Sequence, residues 1–269
     1  MTGMARTPFG VAMVSPPWRT AVVGALLGLT IGTVVFAPAN WLAAAVSAAS
    51  GQQVLLVGAR GSVWQGSSQL VLSGGVGSGQ AVALPGQIHW KIQPAWAGLR
   101  MLVSADCCTQ QPLQLQAEVT GLRSVRLQLG NGQSHWPAGL LAGLGTPWNT
   151  VQPQGQLAAT SQDVALQWAQ GRMSLSGRVQ VDALQVSSRL STLTPMGSYR
   201  ITLEGGEQPS LQLVTLDGSL QLSGQGQWIG QRLRFNGVAS AAPERVEALS
   251  NLLNIVGRRD GARSIITVG

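Results

Sequence analysis

The chain has 269 residues, 45% of them hydrophobic, with 17 Lys or Arg against 10 Asp or Glu for a net charge of +7. That apolar content excludes a disordered chain, because it can offset the entropy cost of folding. The charge does not form a nucleic-acid footprint. The arginines come singly, Arg258, Arg259 and Arg263 being the nearest thing to a cluster, and one Tyr with three scattered Phe provide no stacking platform. Weak attraction to anionic lipid headgroups suits this distribution better.

Residues 1–19 read as a short cytoplasmic arm carrying Arg6 and Arg19. From Thr20 to Ala59 there is no charge, and Ala21 to Ala37 is almost wholly apolar. At 1.5 Å per residue this core covers roughly 26 Å, and Trp18 and Trp41 stand where interfacial anchors belong. The spacing predicts a transmembrane anchor over residues 20–41, and the positive-inside rule places the N-terminus in the cytoplasm and the rest across the bilayer. A cleaved signal peptide is the alternative, since small residues at Ala43 to Ala45 and Ala48 to Ala49 offer a cutting site; the length of the apolar core favours retention. Gly24, Gly28 and Gly32 repeat every four residues, a small-residue stripe suited to contact with another membrane helix.

After a short helix through Asn40 to Ala49, period-two alternation takes over. Ile88, Trp90 and Ile92 share a face. Leu113, Leu115, Ala117 and Val119 alternate with Gln114, Gln116 and Glu118, and Val125, Leu127 and Leu129 alternate with Arg126 and Gln128. Such runs, closed by Gly, Pro or Asn-Gly, are half-buried antiparallel strands. A Gly- and Pro-rich connection over residues 138–150 divides a first half, 42–137, from a second, 151–269, where further strands run to Phe235 and Asp217-Gly218 marks a turn. Pro243 to Val256 breaks the rhythm: Val246, Leu249, Leu252, Leu253 and Val256 form the apolar stripe of an amphipathic helix over 243–256, suited to cap the sheet. The expected fold is thus mainly β, an extended, meandering or curved antiparallel sheet behind one N-terminal transmembrane helix, with a short C-terminal helix.

Chemistry is hard to place on this pattern. His89 and His135 are 46 residues apart with no ligand-spaced partner, and His89 alternates onto the solvent face. The ten carboxylates form no acid/base motif, and neither a phosphate loop nor a nucleophile elbow is present. No catalytic residue, cofactor or metal is expected. The adjacent Cys107 and Cys108 read as reduced thiols, one of them buried as a small hydrophobe, or else as a bridge to a partner or to each other. Of nine Trp, Trp64, Trp90, Trp168 and Trp228 lie in or beside strands and read as core. Trp96, Trp136 and Trp148 lie at or near prolines, read as loop residues, and are the candidate partner contacts.

Several phrases together resemble one family. They are Pro38-Ala-Asn-Trp41, Gly61-Ser-Val-Trp-Gln-Gly66, Leu84-Pro-Gly-Gln-Ile-His-Trp-Lys-Ile-Gln-Pro94, Gly224-Gln-Gly-Gln-Trp228, Leu233-Arg-Phe-Asn-Gly237 and Ala248 to Arg259. In order and spacing they look like the protein N family of the type II secretion system (general secretion pathway protein N). The resemblance implies a non-catalytic accessory protein of the Gram-negative inner membrane. Its β-rich domain would be periplasmic, with other secretion components, the inner-membrane platform or the secretin, as partners. On that resemblance Trp64, Trp90 and Trp228 belong to recurrent structural motifs. A competing reading from the strand-and-glycine architecture is an envelope lipid-handling protein that holds acyl chains in a curved-sheet groove. An open apolar groove would favour it; a sheet filled by Trp would favour docking.

Overall fold

The computed structural model describes residues 18–121, 123–169, 171–230 and 232–269, so the expected arm over 1–19 lies outside the described residues except at its end. The chain divides into two units, residues 1–37 and 38–269. The first contains helix α1 (Trp18–Val35), in which Thr30 and Thr33 return their hydroxyls to the carbonyls of Leu26 and Leu29 at 2.8 and 2.7 Å. The expected transmembrane anchor is not upheld: no helix among the described residues is long and apolar enough to cross a membrane. The described part of α1 has 18 residues, Arg19 among them, and at 1.5 Å per residue covers about 27 Å. It ends at Val35, and Pro38, which cannot continue a helix, separates it from α2 (Ala39–Ala49). The anchor at 20–41 is therefore two helices, and the single-pass inner-membrane topology drawn from it falls with it.

The second unit is one antiparallel meander of sixteen strands. The first half contains β1 (Val54–Gly61), β2 (Gln65–Ser73), β3 (Ala81–Ala83), β4 (Ile88–Ala95), β5 (Gly98–Ala105), β6 (Leu113–Gly121), β7 (Ser124–Leu129) and β8 (Gly132–Pro137). A 3-10 turn over Ala138–Leu144 and the short α3 (Trp148–Val151) lead into the second half. There follow β9 (Gln154–Ala169), β10 (Arg172–Ser187), β11 (Gly197–Gly206), β12 (Ser210–Gly218), β13 (Leu220–Ile229), β14 (Arg232–Ala241), α4 (Val246–Val256), β15 (Arg258–Asp260) and β16 (Arg263–Val268). Spatial order follows chain order apart from β3, which pairs with β2, β8, which pairs with β9, and the β14-β16-β15 end.

The expected division near 138–150 does not interrupt the sheet. β9 pairs with β7 through residues 164–169 and with β8 through 156–161, while β10 runs along its other side. Asp163, at φ 49, is the extra residue of a bulge opposite Gly177, at φ 84, where a Cβ would meet the Asp163 carbonyl. The bulge shifts the alternation by one, so that Leu157 and Ala159 share a face with Val164, Leu166 and Trp168.

That face carries two separate cores. Near the N-terminal end Leu84, Ile88, Ala105, Cys108 and Leu140 are buried, with Leu56, Leu70, Leu72, Val82 and Trp136 around them. At the other end Met196, Tyr199, Leu220 and Ala239 are buried under Leu249, Leu252 and Leu253 of α4, which caps the sheet as its apolar stripe predicts. Both lie toward the end of the strands where the longer connections cross. Toward the opposite rim lie the short connections β1–β2, β4–β5, β6–β7, β9–β10, β11–β12 and β13–β14.

The other face is polar and held by charged pairs. Arg178 lies 2.7 Å from Glu204, and Arg200 donates through Nε and Nη2 to both oxygens of Asp182 at 2.7 and 2.8 Å. These hydrogen bonds hold the Asp182 carboxyl below its ordinary range against the smaller opposing effect of burial. A depressed pKa stabilises the fold above the unfolded value, about 4, and that contribution is lost as pH falls through the folded value. Asp182→Asn is therefore expected to lower the thermal midpoint at pH 7 and to flatten its decline below about pH 4, as a pH series of unfolding curves would record.

Candidate binding face and its rim

Between the two cores the apolar face continues, and among the described residues of the second unit no element covers it. Cross-strand register lines up Ile92, Met101, Leu115, Leu129 and Val164 in one row across β4, β5, β6, β7 and β9. A second row joins Pro94, Leu99, Ala117, Leu127, Leu166 and Leu175, and a third joins Val119, Val125, Trp168 and Met173. Alternation puts these residues on the face of Ile88 and Trp90, yet Leu127 is 47% exposed and Val119 63%. Ile92, Leu99, Met101, Leu115, Leu127 and Leu166 are among the walls of an open groove of about 320 Å³. Arg123, in the β6–β7 turn, and Arg172, the first residue of β10, are exposed; Arg172 alternates with Met173 and so falls on the polar face, while Trp168, 52% exposed, stands in the row nearest the rim.

The candidate tryptophans separate by position. Trp96 projects from the two-residue turn between β4 and β5 and is fully exposed. Trp148 begins α3 and is partly exposed. Trp136 is in β8, not a loop; it packs against the N-terminal core, and its Nε1 donates to Ser134 Oγ at 2.8 Å. Trp64 sits half-buried in the β1–β2 turn, where its carbonyl accepts the Ile92 amide at 2.6 Å. Trp90 is buried, its Nε1 donating to the carbonyls of Ser62 and Val63 at 3.3 and 3.1 Å. The Gly61 to Gly66 phrase thus forms a seat for Trp90, because a Cβ on Gly66 would come within 2.5 Å of the ring.

Trp228, expected to anchor the equivalent phrase in the second half, is only half-buried. The buried ring there is Phe235, which sequence reasoning missed. A Cβ at Gly224 or Gly237 would lie 2.3 or 2.9 Å from it, so these glycines mark a close approach within strands. Gly24, Gly28 and Gly32 lie on α1, and a Cβ at any of them would meet nothing within 4 Å.

The titratable groups hold structure together. His89 is exposed, as its alternation predicts, and lies 3.1 Å from Asp106, whose other oxygen accepts the Gln87 amide at 3.0 Å. That backbone hydrogen bond, more than the His89 contact, lowers the Asp106 pKa. Cys107 and Cys108 are joined to each other in a vicinal disulfide, in place of the reduced pair, with Cys108 buried in the N-terminal core. Among the described residues no group of three or more His, Cys, Asp and Glu stands together to hold a metal ion.

A single-layer antiparallel meander with a buried core toward each end defines a β-rich scaffold domain. The model of the type II secretion system protein N family matches residues 52–266, from the residue pair before β1 into β16, and the chain belongs to that family. No curated protein and no solved structure matches it. Membership makes the protein an accessory component of type II secretion, associated with other components of that system.

Proposed function

We propose that the protein acts without catalysis, supporting export of folded proteins across the outer membrane by contacts with the inner-membrane platform or the secretin. The observation that carries this reading is Trp96. A tryptophan held on a tight two-residue turn, with its whole side chain in solvent, serves no packing purpose among the described residues. Large aromatics presented rigidly are what protein interfaces use as anchors, with little ordering entropy to lose on binding. Trp148 offers a second, less exposed contact at the opposite rim. The sheet edges are poorer candidates: β15 is three exposed residues, Arg258, Arg259 and Asp260, and β1 carries a bulge between Val57 and Arg60 and has α2 packed against it.

Trp96→Ala is expected to leave thermal stability within about 0.5 kcal/mol of the parent, because nothing packs on the ring. The same variant should reduce recovery of platform or secretin proteins after in-cell cross-linking at least tenfold, and reduce export of a folded substrate with it. Unchanged recovery and unchanged export would overturn the reading.

A further inference from the structure

We infer that the Cys107–Cys108 bridge is a thiol–disulfide exchange site, attacked at the Cys107 sulfur by a protein dithiol and coupled through the Cys108 backbone to β8 and the N-terminal core. This goes beyond the docking role and does not depend on which secretion component the protein meets.

As a staple the bridge has little to do. In the chain-entropy account a disulfide stabilises a fold by restricting the unfolded chain, and the effect grows with the loop it closes; this one joins adjacent residues. What it fixes is the peptide between them, because the ring runs through that peptide. That peptide sits at a junction between elements. In the turn after β5 the Cys108 amide donates to the Ala105 carbonyl at 3.0 Å, and Thr109 Oγ1 accepts the Ala105 amide at 2.9 Å. One residue before the pair, the Asp106 amide donates to the Gln87 carbonyl at 3.1 Å and the carboxylate accepts the Gln87 amide, which ties the turn to the residue before β4. The Cys108 carbonyl accepts the His135 amide at 2.8 Å. His135 lies in β8, whose strand partner is β9, and Cys108 provides its contact on the other side.

The two sulfurs differ in access, and that sets the chemistry. Cys107 is exposed, whereas Cys108 is 4% exposed and buried among Leu84, Ile88, Ala105 and Leu140. An incoming thiolate therefore attacks the Cys107 sulfur: a mixed disulfide forms there, the Cys107–Cys108 bond breaks, and Cys108 leaves as a thiolate that takes up a proton. The attacker's second thiolate then attacks its own sulfur in the mixed disulfide and expels Cys107, which takes up the second proton. Two electrons and two protons have passed from the dithiol to this chain, and the dithiol has become a disulfide. Adjacency selects the class of partner. A monothiol bound to Cys107 is open to return attack by the neighbouring Cys108, an intramolecular step favoured by proximity, whereas a dithiol completes the reduction by its own intramolecular step. Once the ring is open, the peptide between the cysteines is free to turn, and the Cys108 carbonyl no longer holds a fixed place for the His135 amide.

The test uses the full chain purified without reductant, with dithiothreitol as the dithiol and glutathione as the monothiol. Free thiols are counted by iodoacetamide labelling and mass spectrometry, and backbone opening is read by amide hydrogen exchange. The expected result is no label before treatment, labels on both cysteines after dithiothreitol, and at least tenfold less labelling after glutathione at the same thiol concentration. In the folded, reduced chain Cys107 should react at least tenfold faster than Cys108. Reduction should speed exchange of the His135 amide at least tenfold and leave β12 and β13 unchanged. A chain carrying Cys107→Ser and Cys108→Ser should show the fast His135 exchange with or without dithiothreitol. Label on both cysteines before any reductant, a bridge that resists dithiothreitol, equal reduction by glutathione, equal reactivity of the two cysteines, unchanged His135 exchange, or faster exchange throughout the sheet, which would make the bridge a staple after all, would each overturn the inference. Because Trp96→Ala reads recovery of secretion proteins and this experiment reads thiols and amides, either reading can fail while the other stands.

Discussion

Replacing Trp90 by alanine is expected to remove about 3–5 kcal/mol of folding stability, the range for deleting a buried tryptophan. The side chain is 3% exposed, and its indole ties β4 to the β1–β2 turn through the carbonyls of Ser62 and Val63. Alanine removes the apolar contact and both hydrogen bonds while the Gly66 seat stays empty, because the backbone around Gly61, at φ 91, cannot easily close on it. For a folded region of this size the loss corresponds to a fall of about 6–20 °C in the thermal midpoint. Trp90→Phe separates the two contributions: it keeps most of the burial and leaves the two carbonyls without their donor, for an expected cost of about 1–3 kcal/mol. A loss below about 1 kcal/mol in Trp90→Ala would mean that the phrase from Gly61 to Gly66 is not held by this ring.

How much of this was legible in the sequence depends on which physical quantity the pattern encodes. Alternation reports which residues share a face, so β4, β6 and β7 stand where Ile88, Leu115 and Leu127 put them. It does not report whether a second layer lies on that face, and the groove was therefore invisible until the sheet was seen uncovered. The stripe of α4 did name its own cap, because a helix with Leu249, Leu252 and Leu253 on one side must bury them somewhere. The membrane anchor failed for the opposite reason. Composition from Ala21 to Ala37 is apolar enough, but the length of a helix is fixed by where it stops, and α1 stops at Val35. Trp136 was misplaced because Pro137 beside it suggested a loop; β8 pairs only with β9, and a strand with one partner tolerates proline at its end. Gly224 and Gly237 were read as part of a motif without a mechanism, while the ring of Phe235 that requires them sits in plain sequence two residues before Gly237.

The second half rests on a different lock, and Leu253 is the residue on which its loss should be largest. It is fully buried between α4 and the sheet, its carbonyl accepting the hydroxyl of the equally buried Ser264 at 2.6 Å. Leu253→Ala is expected to cost about 2–5 kcal/mol, and Leu253→Asp more than about 5 kcal/mol, since it would place a carboxylate among Leu249, Leu252, Leu220 and Tyr199 with no cation in that cluster. Denaturant titration of the full chain would measure both. Trp90 is no part of the cluster that holds Leu253, so the costs of Trp90→Ala and Leu253→Ala are expected to add to within about 0.5 kcal/mol when combined. A combined cost differing from the sum by more than about 1 kcal/mol would show that β9 and β10, which run between the cores, transmit strain from one to the other, and that the sheet responds to its two caps as one elastic body.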